Sequence, residues 1–282
     1  FVASSSPTTL TVMLAVVPTA VLVPPIASDD TWEASVPGRL TFPAAHWDTP
    51  QTVTVTGTDD DLVDGTITST ITIAVDDANS DNDFDPVANQ TVTATTTDDD
   101  AAGFTVAQTG GSTSVNESGS TDTFTIVLNA QPASNVVLSI TSSDTGESSV
   151  TSLLTFTNAN WDTPQTVTIT GVDDNLVDGT IASPITITVI DANSDNNFDA
   201  VADQTVTATI TDDDTAGFTV VETDGSTEVA ESGTTDTFTI VLDAEPASDV
   251  VLTVPPSDTG EATVTASVTF TPVNWGKGDR CC

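Results

Sequence analysis

Residues 165–179 of the sequence read QTVTITGVDDNLVDG, a β-strand pattern followed directly by an acidic loop. Val167 and Ile169 alternate with threonines, which is typical of a strand that buries one face. Threonine is β-branched and favours strands, so a threonine-covered outer face is compatible with a stable sheet. The loop places three carboxylates within six positions, from Asp173 to Asp178. The segment therefore predicts an all-β fold whose loops concentrate negative charge.

The charge of the whole chain is strongly one-sided. Its 282 residues include 42 acidic and 3 basic side chains, so the formal net charge at neutral pH is −39. Residues 40–276 contain no lysine or arginine, so the acids of that stretch have no cationic side chain within it. Such a charge argues against nucleic acid as a partner, because phosphates need basic contacts, and against anionic membrane surfaces.

The hydrophobic residues indicate a folded chain. They make up 37% of the sequence and recur in short alternating runs, whereas disorder combines low hydrophobicity with high charge. Prolines interrupt the most apolar stretch, residues 10–26, so we predict no membrane insertion. The two cysteines, Cys281 and Cys282, are adjacent, so the body of the chain has no disulfide framework.

The sequence repeats with a period of 114 residues. The string WDTPQTVT begins at Trp47 and at Trp161, and Trp275 follows after the same interval. AGFTV likewise begins at Ala102 and at Ala216. We therefore expect three domains: residues 1–100 as a unit lacking its first strand, 101–214 as a complete unit, and 215–282 as a C-terminally truncated unit.

The length of the repeat favours a β-sandwich. A solenoid rung needs roughly 20–50 residues, whereas an immunoglobulin-like sandwich takes about 100 residues. The complete unit shows seven strand candidates separated by turn signals and no helical periodicity. The candidates are 104–106, 123–128, 136–140, 154–157, 166–170, 185–190 and 205–210.

Three motifs of the complete unit resemble the Calx-β domain family. They are VNESGSTDTFTIVL at 115–128, QTVTITGVDDNLVDG at 165–179 and QTVTATITDDD at 204–214, in the order that the family has them. The resemblance covers residues 101–214 and parts of the flanking units. It implies tandem seven-stranded, immunoglobulin-like sandwiches joined end to end. Many domains of that family bind calcium through acidic loops at one end, and others are spacers without the ligands.

The resemblance also implies the metal ligands. In the complete unit the candidates are Glu117, Asp144, Asp173, Asp174, Asp178, Asp212, Asp213 and Asp214. In the first unit they are Asp30, Asp59, Asp60, Asp64, Asp98, Asp99 and Asp100. Ala3 stands where the complete unit has Glu117, so we expect a weaker or altered first site. The third unit keeps Glu231 and Asp258 but has no counterpart of the two later acidic loops, so we expect no complete site there.

The order of the strands points to the same clustering. Loops after alternate strands of a sandwich lie at one end, and segments 144–147, 173–178 and 212–214 each follow such a strand. Ca²⁺ suits the cluster because it accepts about six to eight oxygen ligands in flexible geometry, whereas Mg²⁺ demands a stricter octahedron. No cysteine or histidine is placed to bind zinc or copper. The alternative is a solvated acidic rim without a metal.

A second acidic motif, DANSDNNFD at 191–199, is echoed at 77–85. It imitates the start of an EF-hand loop but lacks the glycine and glutamate of that loop, so we predict a solvated hairpin loop.

The tryptophans at 47, 161 and 275 recur once per unit, and we predict that they pack in the core rather than form a carbohydrate platform. His46 has no serine or cysteine partner at a catalytic spacing, and no enzyme is predicted.

Two functions fit these features. The first is a set of calcium-stiffened, non-catalytic extender repeats in a secreted or cell-surface adhesin, with calcium and neighbouring repeats as partners. The second is a structural subunit of an extracellular filament or sheath, in which identical chains join end to end by strand complementation. A third, a ligand-binding module, would need an apolar pocket that no motif announces.

Overall fold

The computed structural model describes residues 8–264, 267–276 and 279–281. These residues form twenty β-strands and five single-turn 3-10 helices, and the strands fall into three successive groups. The helices are Asn82–Phe84, Thr109–Gly111, Asp191–Asn193, Asn196–Phe198 and Thr223–Gly225. None of the helices in these ranges is long and apolar enough to span a bilayer.

The first group contains two antiparallel three-stranded sheets. Its strands are β1 (Thr8–Val12), β2 (Ile26–Ser28), β3 (Ala34–Ser35), β4 (Gln51–Gly57), β5 (Ile67–Ile73) and β6 (Gln90–Thr96). The sheets have the orders β1-β4-β3 and β2-β5-β6. Phe42, Val53 and Ile71 are fully buried in the core of this group.

The second group is the complete sandwich. Its strands are β7 (Phe104–Gln108), β8 (Thr113–Asn116), β9 (Thr121–Leu128), β10 (Val136–Ser142), β11 (Ser148–Val150), β12 (Leu153–Phe156), β13 (Gln165–Gly171), β14 (Thr180–Val189) and β15 (Gln204–Thr211). They form a four-stranded sheet, β11-β13-β9-β7, and a five-stranded sheet, β12-β10-β14-β15-β8. All neighbours are antiparallel except β8 and β15. The alternation read from the sequence buries Val167 and Ile169 completely.

All seven predicted strands are present in the second group, which confirms the sandwich. β8 and β11 are additional short strands that the hydrophobic pattern did not predict. β8 is the continuation of the first strand: after a 3-10 turn the chain leaves the four-stranded sheet and pairs in parallel with β15. The end of β8 is thereby carried to the same end of the sandwich as the loop after β13.

Within the described ranges, the third group has fewer strands than the other two. They are β16 (Phe218–Glu222), β17 (Phe238–Leu242), β18 (Val250–Thr253), β19 (Ser267–Phe270) and β20 (Asp279–Cys281), in sheets β16-β17-β20 and β18-β19. Asp279 pairs with Ile240 as Gln165 pairs with Ile126 in the second group. β20 therefore takes the place of β13 although its sequence departs from the repeat.

The 114-residue repeat is kept in the strand registers. Leu10 pairs with Val53 between β1 and β4, and the equivalent pair between β9 and β13 is Phe124 with Val167. The fold is thus all-β, with tandem immunoglobulin-like sandwiches joined end to end. The strand groups fall within the three predicted segments, whose boundaries at 100 and 214 stay a prediction.

A loop of the first group is docked on the second. Leu62 forms a parallel β-bridge with Gln131. The Gln131 N–H donates to the Asp61 carbonyl (2.6 Å), and the Val63 N–H donates to the Gln131 carbonyl (3.0 Å). Val63 is 9% exposed and belongs to the core of the second group. Asn197 Nδ2 donates to the Val63 carbonyl (2.6 Å), so the loop is held by backbone, side chain and core contacts.

The equivalent loop of the second group is docked on the third. Leu176 forms the same parallel bridge with Glu245. The Glu245 N–H donates to the Asn175 carbonyl (2.6 Å), and the Val177 N–H donates to the Glu245 carbonyl (3.3 Å). Consecutive groups are therefore joined by one recurring contact, in which the middle of an acidic loop lies against the next group.

The second acidic motif is only partly solvated, contrary to the prediction. Asp191 and Asp199 are exposed, but Asp195 is 6% exposed and Phe198 is fully buried. The Asp195 carboxylate caps a 3-10 turn by accepting from the Asn197 N–H (3.0 Å) and also accepts from the Ser134 N–H (2.9 Å). The motif fastens its own loop to the loop after β9. Trp161 packs against the core of the second group and Trp275 against that of the third, as predicted. Trp47 is half-buried and is not among the hydrophobic residues packed against the core of the first group.

The equivalent carboxylate in the first group, Asp81, gives a test at low pH. Its bonds from the Thr19 hydroxyl (2.8 Å), from the Asp83 and Ala20 N–H groups and from the Thr19 N–H lower its pKa to about 2. A pKa below the ordinary value means that its stabilisation is present above about pH 4 and is lost as the pH falls towards 2.

We expect Asp81→Asn to lower the urea midpoint at pH 6 and to flatten its fall between pH 4 and pH 2. Asp83→Asn, which changes the exposed neighbouring carboxylate, is the matched control and should behave like the native chain. Equal acid sensitivity of the native chain and Asp81→Asn would contradict the assigned bonds. Tryptophan fluorescence follows the unfolding.

Candidate metal centre

Glu117 lies directly after β8 at the acidic end of the second group. Its N–H donates to the Thr211 carbonyl (3.1 Å), which fixes the turn against the last residue of β15. The turn also crosses Gly171 so closely that a Cβ at that position would collide with the Asn116 carbonyl oxygen. Glycine at the end of β13 therefore lets the Glu117 side chain fold inwards, where it is 1% exposed.

Glu147 is a second buried acid that the ligand prediction missed. It follows the turn that begins at Asp144, and its carbonyl accepts from the Val172 N–H (2.9 Å) at the start of the loop after β13. The residue is 7% exposed. The sequence signal for Glu147 was the recurrence of SDTGE, which places Glu261 at the equivalent position of the third unit. Glu33 occupies the same position in the first unit.

Glu117 and Glu147 come together with Asp178. One carboxylate oxygen from each of the three lies within 4.8 Å of the other two, and among the described residues this is the group with the spacing of metal ligands. Both side-chain oxygens of Glu117 and Oε2 of Glu147 are buried and have no hydrogen-bond partner in that part of the chain. Burying an unpaired charged group is costly, so these oxygens fit a cation.

The pKa values of all three carboxyl groups in the cluster are raised, first by burial and then by the neighbouring acids. Burial, then the adjoining Glu147 carboxyl, and then the charges of Asp178 and Asp212 raise the pKa of Glu117 to about 8. Burial is also the main cause of the raised pKa of Glu147, with Asp178 adding to it. The pKa of Asp178 is raised by burial and by Asp174 and Asp212. A bound cation would oppose each rise, because its positive charge stabilises the ionised carboxylates.

Asp212 ties two of the predicted acidic segments together. Its Oδ2 accepts from the N–H groups of Asp178 (3.1 Å) and Gly179 (2.8 Å), and its Oδ1 accepts from the Asp214 N–H (2.7 Å). These bonds lower the pKa of Asp212, so the carboxylate stays charged. Gly179 has a φ of 82°, which side-chain-bearing residues rarely adopt. Asp212 therefore holds the loop after β13 beside the end of β15.

The remaining candidates of the second group surround this cluster. Asp144 and Asp174 each shape their own turn, by accepting from the N–H of Gly146 (3.0 Å) and of Leu176 (2.7 Å). Asp214 has its pKa raised by burial and by the charges of its acidic neighbours. Those neighbours, in order of effect, are Asp212, Asp213, Asp173 and Asp174. All eight predicted residues thus lie at one end of the sandwich, and two of them, Glu117 and Asp178, belong to the tight cluster.

The first group repeats this arrangement without the early glutamate. Asp98 Oδ2 accepts from the N–H groups of Asp64 (3.0 Å) and Gly65 (2.7 Å), as Asp212 does in the second group. Glu33, at the position of Glu147, has its pKa raised by burial and then by Asp64 and Asp60. The residue aligned with Glu117, Ala3, lies outside the described residues.

The other first-group candidates occupy the same turns. Asp60 accepts from the Leu62 N–H (2.9 Å), and Asp30 from the Trp32 N–H (3.0 Å). Burial and then the charge of Asp98 raise the pKa of Asp100 to about 6. Asp59 and Asp99 are exposed in the same two loops.

Within the described residues, the third group keeps the turn at Asp258. Asp258 accepts from the Gly260 N–H (2.8 Å), as Asp144 does from Gly146. Glu231 and Asp258 are both exposed, and no group of three carboxylates gathers there within the described ranges.

No protein-family profile matches the chain, and no curated protein matches it. Solved structures are similar to it. The apo form of the Calx CBD1 domain is 16% identical with a TM-score of 0.30, over 39% of this chain and 98% of that one. The calcium-binding domain CBD12 of CALX1.1 is 15% identical with a TM-score of 0.26, over 64% and 73%. Domains 4 and 5 of the S-layer protein SbsC are 16% identical with a TM-score of 0.32, over 67% and 70%. Because these identities and TM-scores are low, the fold is assigned from the strand pairing within this chain and not from these structures.

Proposed function

We propose that this chain is a non-catalytic extender segment of a secreted or cell-surface adhesin. In the proposal it consists of units 1–100, 101–214 and 215–282, and Ca²⁺ bound at one end of a unit stiffens the junction to the next. The observation that carries the proposal is the buried, unpaired oxygen set of Glu117 and Glu147 beside Asp178. In this role the chain would add length and rigidity to the adhesin and would catalyse no reaction.

A cation is the missing partner of these carboxylates. The ion pair of the described residues, Arg39 with Asp76 at 3.1 Å, belongs to the first group and involves none of the candidate ligands. Calcium is the best match because it accepts monodentate and bidentate carboxylates, about six to eight oxygens in all, without strict geometry. Glu117, Glu147 and Asp178 would hold the ion, with further oxygens from the surrounding aspartates. A bound Ca²⁺ would supply charge neutralisation and a rigid link between the loops.

The ligand loop is also the junction loop, which supports stiffening. Asp174 and Asp178 flank Leu176 and Val177, whose backbone contacts Glu245 of the next group. An ion that fixes both aspartates would restrict the segment between them. Extracellular modules bind calcium with dissociation constants of about 10⁻⁴–10⁻³ M, so a secreted or surface location would keep such sites filled.

Thermal melting with calcium and with a chelator tests the proposal. We expect calcium to raise the melting temperature, by the equivalent of about 2.7 kcal/mol at a free concentration 100 times the dissociation constant. Magnesium should have a smaller effect at the same concentration. Small-angle scattering should show a longer, less variable particle in calcium than in chelator.

Two double variants show which loop of the chain is responsible for the calcium-dependent rise in melting temperature. Asp173→Asn with Asp174→Asn should remove most of the calcium-dependent rise. Asp191→Asn with Asp199→Asn, which removes the same charge from exposed positions of the second motif, should keep it. An identical melting temperature of the native chain in calcium and in chelator would refute the calcium site and leave a solvated acidic rim.

A further inference from the structure

The contact that joins consecutive groups has two parts, which we call the tip and the acceptor. The tip is the Leu-Val pair in the middle of an acidic loop, Leu62–Val63 or Leu176–Val177. The acceptor is the residue whose N–H and C=O it bridges, Gln131 or Glu245. In both cases the tip leucine precedes the acceptor by 69 residues, as Leu62 and Gln131 show. The contact is therefore a property of the repeat and not of one junction.

The acceptor has a recognisable local sequence. A buried alanine precedes it, Ala130 (1% exposed) or Ala244 (5% exposed), and a proline follows it. The proline favours an extended backbone at the acceptor, which presents both of its polar groups to the tip. At both junctions where a tip covers the acceptor, the alanine before the acceptor is buried.

The first group carries the same acceptor, and within the described residues no tip contacts it. One period before Gln131 the sequence reads Val16-Val17-Pro18. Val16 is 59% exposed and Val17 is 61% exposed, although the equivalent of Val16 is buried in both later groups. Among the described residues, neither the N–H nor the carbonyl of Val17 has a hydrogen-bond partner. An apolar side chain and an unpaired backbone strand position are thus exposed side by side.

We propose that Val16–Pro18 is an acceptor for the Leu-Val tip of a preceding unit of the same kind on one polypeptide. A second copy of this chain is a poor occupant because its tips, Leu62–Val63 and Leu176–Val177, are already docked within that copy. The tip is flanked by aspartates, and valine at the acceptor adds no charge, unlike Glu245. The larger Val16 side chain would bury more apolar area than the alanines do.

The Asn197 bond of the first junction is not required. Asp83 stands at the equivalent position of the first group and offers no amide donor. The junction at Glu245 forms the same bridge through backbone groups. The inference needs the repeated units but no bound ion, so it stands or falls separately from the calcium site.

A chain extended by one unit tests the proposal. A copy of residues 101–214 followed by a copy of 101–114 is placed ahead of Phe1, which preserves the 114-residue period. Amide hydrogen exchange is measured by NMR in chelator and in calcium. In the 282-residue chain we expect the Val17 amide to exchange at least tenfold faster than those of Gln131 and Glu245. In the extended chain we expect it to slow by at least tenfold.

Two substitutions show whether the tip causes the protection. Val177→Asp in the added copy alone should restore fast exchange at Val17. Val16→Asp should leave the melting temperature of the 282-residue chain unchanged and lower that of the extended chain. In the 282-residue chain, Val177→Asp should speed exchange at Glu245.

Three results would overturn the proposal. They are fast exchange at Val17 in the extended chain while Gln131 stays protected, strong protection of Val17 without the extension, and an unchanged Glu245 amide in Val177→Asp. The last applies even when the added unit does not fold.

Discussion

A Glu117→Gln, Glu147→Gln double variant is expected to unfold at a higher temperature than the native chain in the presence of a chelator. Both glutamates are buried with largely unpaired oxygens, and burial beside other acids raises the pKa of both, that of Glu117 to about 8, so their ionised forms are unfavourable without a cation. A neutral amide of similar size avoids the cost of a buried charge, and its NH₂ group donates to the neighbouring oxygen. Relief of buried unpaired groups is worth about 1–3 kcal/mol each, which shifts the melting temperature of a domain of about 100 residues by several degrees.

The same variant is expected to lose the calcium-dependent rise in melting temperature. Differential scanning calorimetry in chelator and in calcium at about 5 mM, above the usual dissociation constants of extracellular sites, separates the two effects. The matched control is Glu222→Gln with Glu228→Gln, which neutralises two exposed glutamates of the third group. Glu117 and Glu147 would not be the metal ligands if the variant responded to calcium as the native chain does.

Val63→Asp is expected to destabilise the second sandwich, although Val63 lies in a loop between β4 and β5 of the first group. The side chain is packed in the core that contains Phe104 and Leu128. Removing the valine and placing a carboxylate there should lower the free energy of unfolding of that sandwich by about 2 kcal/mol or more. Urea unfolding followed by Trp161 fluorescence measures it, in a background with the other three tryptophans changed to phenylalanine.

Val87→Asp provides the control for this prediction. Val87 is a 47% exposed valine of the first group, so the same change there adds the charge without emptying a core position. The Trp161 transition should then stay where it is in the background chain. A Val63→Asp transition that coincides with the background would mean that the loop contributes nothing to the neighbouring core.

Much of the fold could be predicted from local pattern. Strict alternation at Thr166–Thr170 predicted β13, with Val167 and Ile169 inward, because period-two hydrophobicity is set by the strand itself. β8 and β11 could not be found in this way. They are three or four residues long, and each pairs with a strand that is not its direct neighbour in the sequence, β15 for β8 and β13 for β11.

The candidate site was predicted in its location but not in its centre. The resemblance pointed to Glu117 and Asp178, and the strand order gathered their loops at one end. Glu147 was missed because its burial depends on the approach of Val172 across the loop, which composition does not reveal. The tips were missed as well. An LV pair inside an aspartate-rich loop was the available signal, since apolar residues in a solvated loop suggest a partner surface.

The position of Val63 in its neighbour's core means that the borders of the sequence repeat and of the cooperative unit do not coincide. A recombinant fragment starting at Ala101 would contain every strand of the second sandwich. Its core would nevertheless lack the Val63 side chain, which the preceding unit supplies. Linear arrays with such shared residues follow nearest-neighbour statistics, in which each unit unfolds more readily at a free end than in the interior. Under tension, the end units of such a chain should unfold first, because each of them has one docking contact fewer than an interior unit.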